Sequence, residues 1–338
     1  MNLKTIAKEA GVSTATVSNV INGNHHKVSR ATIEKVQRII ADMEYRPSAT
    51  ARSLASRKSR IIGVVVANIS GENHFFSNPH YAHLLALLEK HIRSQGYYMM
   101  LRCVDRCSES ISLFSSWNVD GMIFFGTVTS DVEEVKNSIR VPSVFIDAYA
   151  QEGQDIANVG IDDYKGGYLS GKFLLEKGHR CIAAVGSGLA CYGVMGQRFR
   201  GLCQACAEFG VEMPMEHIFD CQTEYQGGVE MGRQIAASPI PFTAVASMSD
   251  IVAFGIMEGL RLEGKQVPED VSVIGFDNLM ECQYTYPKLT TVSQNTEQKA
   301  LRVSQRLLRM LRGEPESIGT EISDVSVVIR DSVKDMRK

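Results

Sequence analysis

Over the first 45 residues apolar positions recur at helical spacing, and from Ile61 onward they gather into short runs separated by amphipathic stretches. In the first region Ile6, Ala7 and Ala10 share one face of a short helix that Thr5 can cap, and Gly11 supplies its turn. Ser13 caps a second helix whose buried stripe is Val17, Val20 and Ile21. That leaves Thr14, Ala15, Thr16, Ser18 and Asn19, small or polar, on its other face. Residues 29–45 read as a third helix, with Ile33, Val36, Ile39, Ile40 and Met43 on the apolar side, and Pro47 ends the unit. Residues 48–57 contain helix formers but almost nothing to bury, so they read as a linker that orders only against a partner.

Beyond Ile61 the strand candidates are 61–67, 97–101, 121–125, 143–146, 181–185, 244–247, 271–275 and 325–329. Between them lie helical patterns such as 81–94, 164–176, 197–209, 225–237 and 251–263. This is the βαβ alternation of doubly wound parallel sheets covered on both faces, in an α/β chain. So long a stretch exceeds one comfortable sheet and predicts two subdomains, with a ligand in the cleft at the strands' carboxyl ends.

Charge divides the chain at the same place. Residues 1–60 carry eleven Lys and Arg against four Asp and Glu, a net of +7, whereas the whole chain sums to −2. A basic helical head on an acidic body is the electrostatic footprint of phosphate binding, and a helix, tight turn and second short helix suit a DNA major groove. No apolar run reaches membrane-spanning length and no secretory leader pattern opens the chain, so a cytoplasmic location with reduced, buried cysteines is expected. Neither metal nor cofactor is expected: Cys203-x-x-Cys206 has no second ligand pair, and Gly186-Ser-Gly188 lacks the third glycine of a dinucleotide loop.

The chain resembles the lactose-repressor/galactose-repressor (LacI/GalR) family of bacterial transcription regulators over almost its full length. In the head the matching residues are Thr5-Ile-Ala, Ala10-Gly-Val-Ser13, Thr16-Val-Ser18, Val20-Ile-Asn22, Tyr45-Arg-Pro47 and Ala51-Arg-Ser-Leu54. In the core they include Asn78-Pro79, Val119-Asp-Gly121, Gly178-His-Arg180, Arg198-x-x-Gly201, the run from Val267 to Asp277, and Leu289-Thr-Thr-Val-Ser-Gln294. The resemblance implies a helix-turn-helix head at 1–46, a hinge helix within 47–60, and a periplasmic-binding-protein-like core at 61–338. Subdomain one would comprise 61–158 plus 291–318, and subdomain two 159–290 plus 319–338, with crossings near 157–163, 287–291 and 317–323. It further implies a homodimer gripping a palindromic operator. No leucine heptad follows Val327-Val-Ile-Arg-Asp-Ser332, so a coiled-coil tail is not expected.

By the same resemblance Thr14, Ala15 and Asn19 meet bases, while Thr5, Ser13, Thr16, Ser18 and Asn22 lie mostly on phosphates. Asn19 stands where the family often has arginine. Leu54 is the wedge inserted at the operator centre, widening the minor groove for Ala51 and Arg52. In the cleft, Asp277 at a strand end and Arg198 at a helix start would hold a small polar, sugar-like effector from opposite sides. Asp250, His80 and Tyr81, then Asp147 and Asp162, are further candidates. Tyr192 and Val194 replace polar contacts of the family's purine-binding member and argue against a purine ligand. The long segment 69–77, with His74, Phe75 and Phe76, is a further departure near the cleft mouth, as is Ala148 after Asp147. Two other readings compete: a core answering to a protein partner, and a sugar-binding transport-type protein. No nucleophile or phosphate cradle accompanies Asp277, so an enzyme is not expected.

Overall fold

The alternation beyond Ile61 resolves into two six-stranded sheets. The structure, a computed structural model, describes residues 3–21, 23–45, 58–67, 78–126, 129–149 and 155–337. They fall into two compact units that divide between Ser59 and Arg60.

The first unit is helical: α1 (Leu3–Ala10), α2 (Thr14–Ile21) and α3 (Arg30–Asp42). Ile6, Ala7, Ala10, Val17, Val20 and Val36 form its buried centre, with Ile21, Ile33, Ile39, Ile40 and Met43 packed half-buried around them. Gly11, at φ +66°, closes α1: its N–H donates to Lys8 O, and that of Val12 to Ala7 O. This paired pattern requires a left-handed residue, which glycine adopts without strain. Ser13 caps α2, its hydroxyl accepting from Thr16 N at 3.1 Å, and Ser29 caps α3 by accepting from Thr32 N. Thr5 is not a cap. It lies inside α1, which already begins at Leu3.

In the second unit, sheet one contains β1 (Ile61–Ala67), β2 (Tyr98–Val104), β3 (Gly121–Phe125), β4 (Ser143–Ile146), β5 (Ala157–Ile161) and β11 (Gly319–Ser323). Sheet two contains β6 (Ile182–Gly186), β7 (Ile218–Asp220), β8 (Ala244–Ser247), β9 (Ser272–Asp277), β10 (Thr290–Ser293) and β12 (Ser326–Val328). The orders are β11-β5-β4-β3-β1-β2 and β12-β10-β9-β8-β6-β7, parallel throughout except for antiparallel β12. Each sheet thus repeats one doubly wound order, reversing beside its first strand, and a ligand site forms outside the carboxyl ends at such a reversal. Successive residues of β1 feed opposite layers: Val64 and Val66 meet Leu84 and Leu88 of α4 (Pro79–Ser94), while Val65 joins Phe114 of α5 (Ser110–Ser116) and Val132 of α6 (Thr129–Ser138).

Sheet two is covered by α7 (Asp163–Glu176) and α8 (Val194–Glu208) on one face and α9 (Tyr225–Ala237) and α10 (Asp250–Leu262) on the other. Both helix pairs touch backbone to backbone at glycines. A Cβ on Gly167 would come within 1.7 Å of Arg198 O, and one on Gly228 within 2.2 Å of Val252 O. The last helix, α11 (Thr296–Leu311), returns to sheet one and packs on α4 and β3–β5.

The chain therefore crosses between the sheets near Asp162, at 294–295 and at 324–325. This corrects the subdomain limits drawn from sequence, because 159–161 and 319–323 belong to sheet one and 291–293 to sheet two. β5, β10 and β11 overlap the segments expected as crossings, and several of their polar side chains are held by buried hydrogen bonds. Asn158, only 2% exposed, accepts from Ala148 N and donates to Ala148 O and Thr320 Oγ1. Thr291 Oγ1 donates to Asp250 Oδ1. Of the cysteines, Cys103 and Cys191 are exposed rather than buried.

Candidate functional site

On the helical unit, the face of α2 opposite its buried stripe presents Thr14 and Ala15 exposed, with Thr16, Ser18 and Asn19 half-buried beside them. Thr16 Oγ1 lies 2.9 Å from Ser13 Oγ, so these two hydroxyls already form a pair. Asn19 accepts at its side-chain oxygen from Asn24 Nδ2 at 3.5 Å. Thr5 is exposed on α1. Asn22, Ala51, Arg52 and Leu54 lie outside the described residues, as do the hinge helix and the segment with His74, Phe75 and Phe76.

In the second unit the carboxyl ends of both sheets deliver charged side chains to one buried network. Asp147 follows β4 and Asp277 ends β9; Arg198 comes from the second turn of α8, and Lys299 from the first turn of α11. Lys299 Nζ donates to both carboxylate oxygens of Asp147, at 2.9 and 2.8 Å, and to Gln294 Oε1 at 2.7 Å. Gln294 Nε2 donates in turn to Asp277 Oδ1 at 2.5 Å. Arg198 stands 3.6 Å from Asp277 in an ion pair, donates through Nε to Asp163 Oδ1 at 2.8 Å, and donates through Nη1 to Met248 O. Its guanidinium carbon lies over the Phe276 ring, 3.6 Å from the ring centre. Tyr149 closes the far end by donating to Asp163 Oδ2 at 2.7 Å. The line Asp147–Lys299–Gln294–Asp277–Arg198–Asp163 thus runs from subdomain one through the second crossing into subdomain two.

Asp277 and Asp250 are held as reluctant carboxylates. Burial pushes Asp277 up to about 6, although Arg198 and Gln294 oppose the shift, and burial together with the Asp277 charge pushes Asp250 up to about 7. For Arg198, burial disfavours the charge, and Asp163 and Asp277 more than restore it. His80 sits at the start of α4 with its Nδ1 buried and unpartnered. Burial, reinforced by the Lys299 charge, depresses it to about 3, so it is a neutral imidazole. Tyr81 packs edge-on to Phe125, and burial and Asp277 raise its phenol to about 12. A cavity of about 600 Å³ opens against Asp277, walled by Pro79 and His83 of α4, the loop after β9, and the second and third crossings.

Residues 2–48 match the family model described as bacterial regulatory proteins, lacI family, and residues 172–333 match a periplasmic binding protein-like domain. The HTH-type transcriptional repressor PurR of Mannheimia succiniciproducens is 33% identical over 98% of each chain. The chain belongs to the LacI family. Among solved structures, the lac repressor dimer bound to operator and the anti-inducer ONPF superposes with a TM-score of 0.86 at 25% identity, covering 99% of each chain. A complex of the transcriptional regulator CelR with cellobiose gives 0.74 at 26% identity, covering 98% of this chain and 99% of that one. A LacI-family helix-turn-helix head joined to this core makes the protein a DNA-binding transcriptional regulator controlled by a small effector. The PurR and lac repressor relatives named above are repressors rather than enzymes.

Within this LacI-family core, the structure redistributes the residues expected from sequence. Arg198 lies inside α8 rather than at its start, and it is already committed to acceptors of its own subdomain. Asp162 caps α7 by accepting from Lys165 N, and its neighbour Asp163 is the buried partner of Arg198. Asp250 does not line the cavity. It ties down the loop after β9, accepting from Leu279 N, Thr291 Oγ1 and Cys282 Sγ. Only Asp277 among the expected effector residues lines the cavity. Sequence reasoning missed Lys299, Gln294, Asp163 and Tyr149. Lys299 left a signal: it shares the buried stripe of α11 with Ala300, Val303 and Leu307, where a lysine is out of place.

Proposed function

We propose that the protein is a homodimeric repressor of a palindromic operator, released or recruited by a small, polar, sugar-like effector bound at Asp277. The operator would be read by α2, with Thr14, Ala15 and Asn19 on base edges and Thr5, Ser13, Thr16, Ser18 and Asn22 on phosphates. Supporting this, the side chains with no role in packing α2 are the small polar ones that fit a major groove. Ala51, Arg52 and Leu54 would act in the minor groove.

The observation that carries the effector reading is that both sheets aim their carboxyl ends at Asp277, where a cavity meets the buried network. Asp277 is bonded there to Gln294, a neutral amide that a ligand hydroxyl can replace without a change of charge. Arg198, Asp147, His80 and Tyr81 would stand behind that exchange, His80 with a buried Nδ1 that has no hydrogen-bond partner. Asp163 would serve beside Arg198, in place of Asp162. Because the network links the two subdomains, a ligand that breaks the Gln294–Asp277 bond biases their relative closure, and a coupling free energy to DNA follows.

The test is calorimetric titration of the protein with D-ribose, D-glucose, cellobiose and inosine, followed by DNA binding with each binder present. A sugar that binds wild type and fails to bind Asp277→Asn is the expected result. Binding of inosine alone would contradict the sugar-like reading.

A further inference from the structure

We propose that the cleft selects polyhydroxylated ligands that carry no negative charge, and that Lys299 sets this choice by being fully engaged inside the protein. The proposal rests on the reading of Asp277 as the effector site and adds the ligand's charge class.

Three carboxylates, the buried Asp163 and Asp277 and the partly buried Asp147, share two cations, Lys299 and Arg198. An ammonium has three donors, and those of Lys299 go to Asp147 Oδ1, Asp147 Oδ2 and Gln294 Oε1. Lys299 is wholly buried, so no water can take over one of these bonds and free a proton for a ligand. Arg198 is held by Asp163 and Met248 O and faces Asp277. His80, the remaining nitrogen beside the network, is uncharged. The cavity wall agrees: Asp277, Glu281, Glu297 and Asp324 line it, only Asp324 carrying an ion pair of its own outside the network, to Lys165, and His83 is the only basic side chain in the lining among the described residues. A phosphate or carboxylate entering this space meets surplus negative charge at low dielectric and no uncommitted cation. A hydroxyl, by contrast, can donate to Asp277 without bringing charge into the cavity.

Asp147 offers a reversal. It sits at φ +52°, a conformation that asparagine tolerates well, so Asp147→Asn keeps the backbone while removing one carboxylate and loosening one Lys299 proton. The experiment uses the full chain and matched ligands: D-glucose and glucosamine against glucose 6-phosphate and gluconate, and D-ribose against ribose 5-phosphate. In wild type, any binder is expected in the uncharged or ammonium-bearing group, with its anionic counterpart weaker by at least about tenfold, which is 1.4 kcal/mol. Inorganic phosphate at matched ionic strength is expected to raise the melting temperature of Asp147→Asn more than that of wild type. Asp147→Asn/Lys299→Met, with both charges removed, should lose the gain. Tighter binding of a phosphorylated or acidic sugar by wild type overturns the charge rule and leaves the effector site standing. An equal phosphate response of wild type and Asp147→Asn overturns it too. If no sugar binds any form while the phosphate difference appears, the charge rule holds and the sugar reading fails.

Discussion

Arg198 Nε donates to Asp163 Oδ1 at 2.8 Å, and both side chains are almost completely buried. The arginine that a ligand was expected to meet is thus also a brace between α7 and α8. Its second partner, Met248 O, adds the end of β8 to the same joint. Arg198→Ala therefore leaves Asp163 and Asp277 buried without their cation, and the core should lose about 3–5 kcal/mol of stability. Denaturant unfolding of wild type and variant measures this. A loss below about 1 kcal/mol, within the range of an exposed ion pair, would show that the brace is not structural.

The raised carboxyls of Asp277 and Asp250, with Asp163 shifted the same way by burial, make stability depend on pH in a defined direction. Asp277 near 6 and Asp250 near 7 bind protons more tightly folded than unfolded, where carboxyls titrate at about 4. Their contribution is complete below about 4 and is lost as pH rises through 6 to 7. The pH dependence of core unfolding should therefore carry a component that falls from pH 5 to 8, and Asp250→Asn should flatten it. Denaturation at four pH values checks this; identical slopes for the two proteins would count against it.

Gly167 has no room for a methyl group, because its Cβ would stand 1.7 Å from Arg198 O. Gly167→Ala must push α8 from α7, at a cost of about 1–3 kcal/mol or more, and displace Arg198 with it. Effector affinity should fall along with stability. A variant with wild-type unfolding and wild-type effector binding would refute the close contact.

Much of the fold was legible because strands buried on both faces spell apolar runs. β1, β3, β4 and β8 coincide with such runs. β5, β10 and β11 were illegible as strands, since Asn158, Thr290, Thr291 and Thr320 have the composition of a connector and are satisfied only by partners far away in sequence. The cleft was legible at Asp277, which ends a recognisable strand. Lys299 and Gln294 escaped because their role depends on Asp147, more than a hundred residues earlier, and no local spacing encodes that meeting. Asp162 and Asp163 show the same limit at finer grain, since one residue's rotation on the helix separates a cap from a buried anchor.

The head should be separable in its energetics. Ser13 caps α2 through Thr16 N, so Ser13→Ala should cost the head about 1 kcal/mol and weaken DNA binding, while effector affinity stays unchanged. Residues 61–338 alone should show no salt-dependent DNA binding, whereas the full chain's affinity should fall steeply with salt. Fluorescence anisotropy with a labelled duplex reads both. Equal DNA affinity of the core fragment would contradict this division.

The central claim is that a small ligand at Asp277 controls DNA binding by the head. The direct measurement is a DNA titration on an operator selected from random duplexes, with and without the sugar that binds most tightly, for wild type and Asp277→Asn. The expected result is a ligand-induced change of about tenfold or more in wild-type DNA affinity that is absent from Asp277→Asn. An Asp277→Asn protein that responds at the same ligand concentrations as wild type would contradict the account.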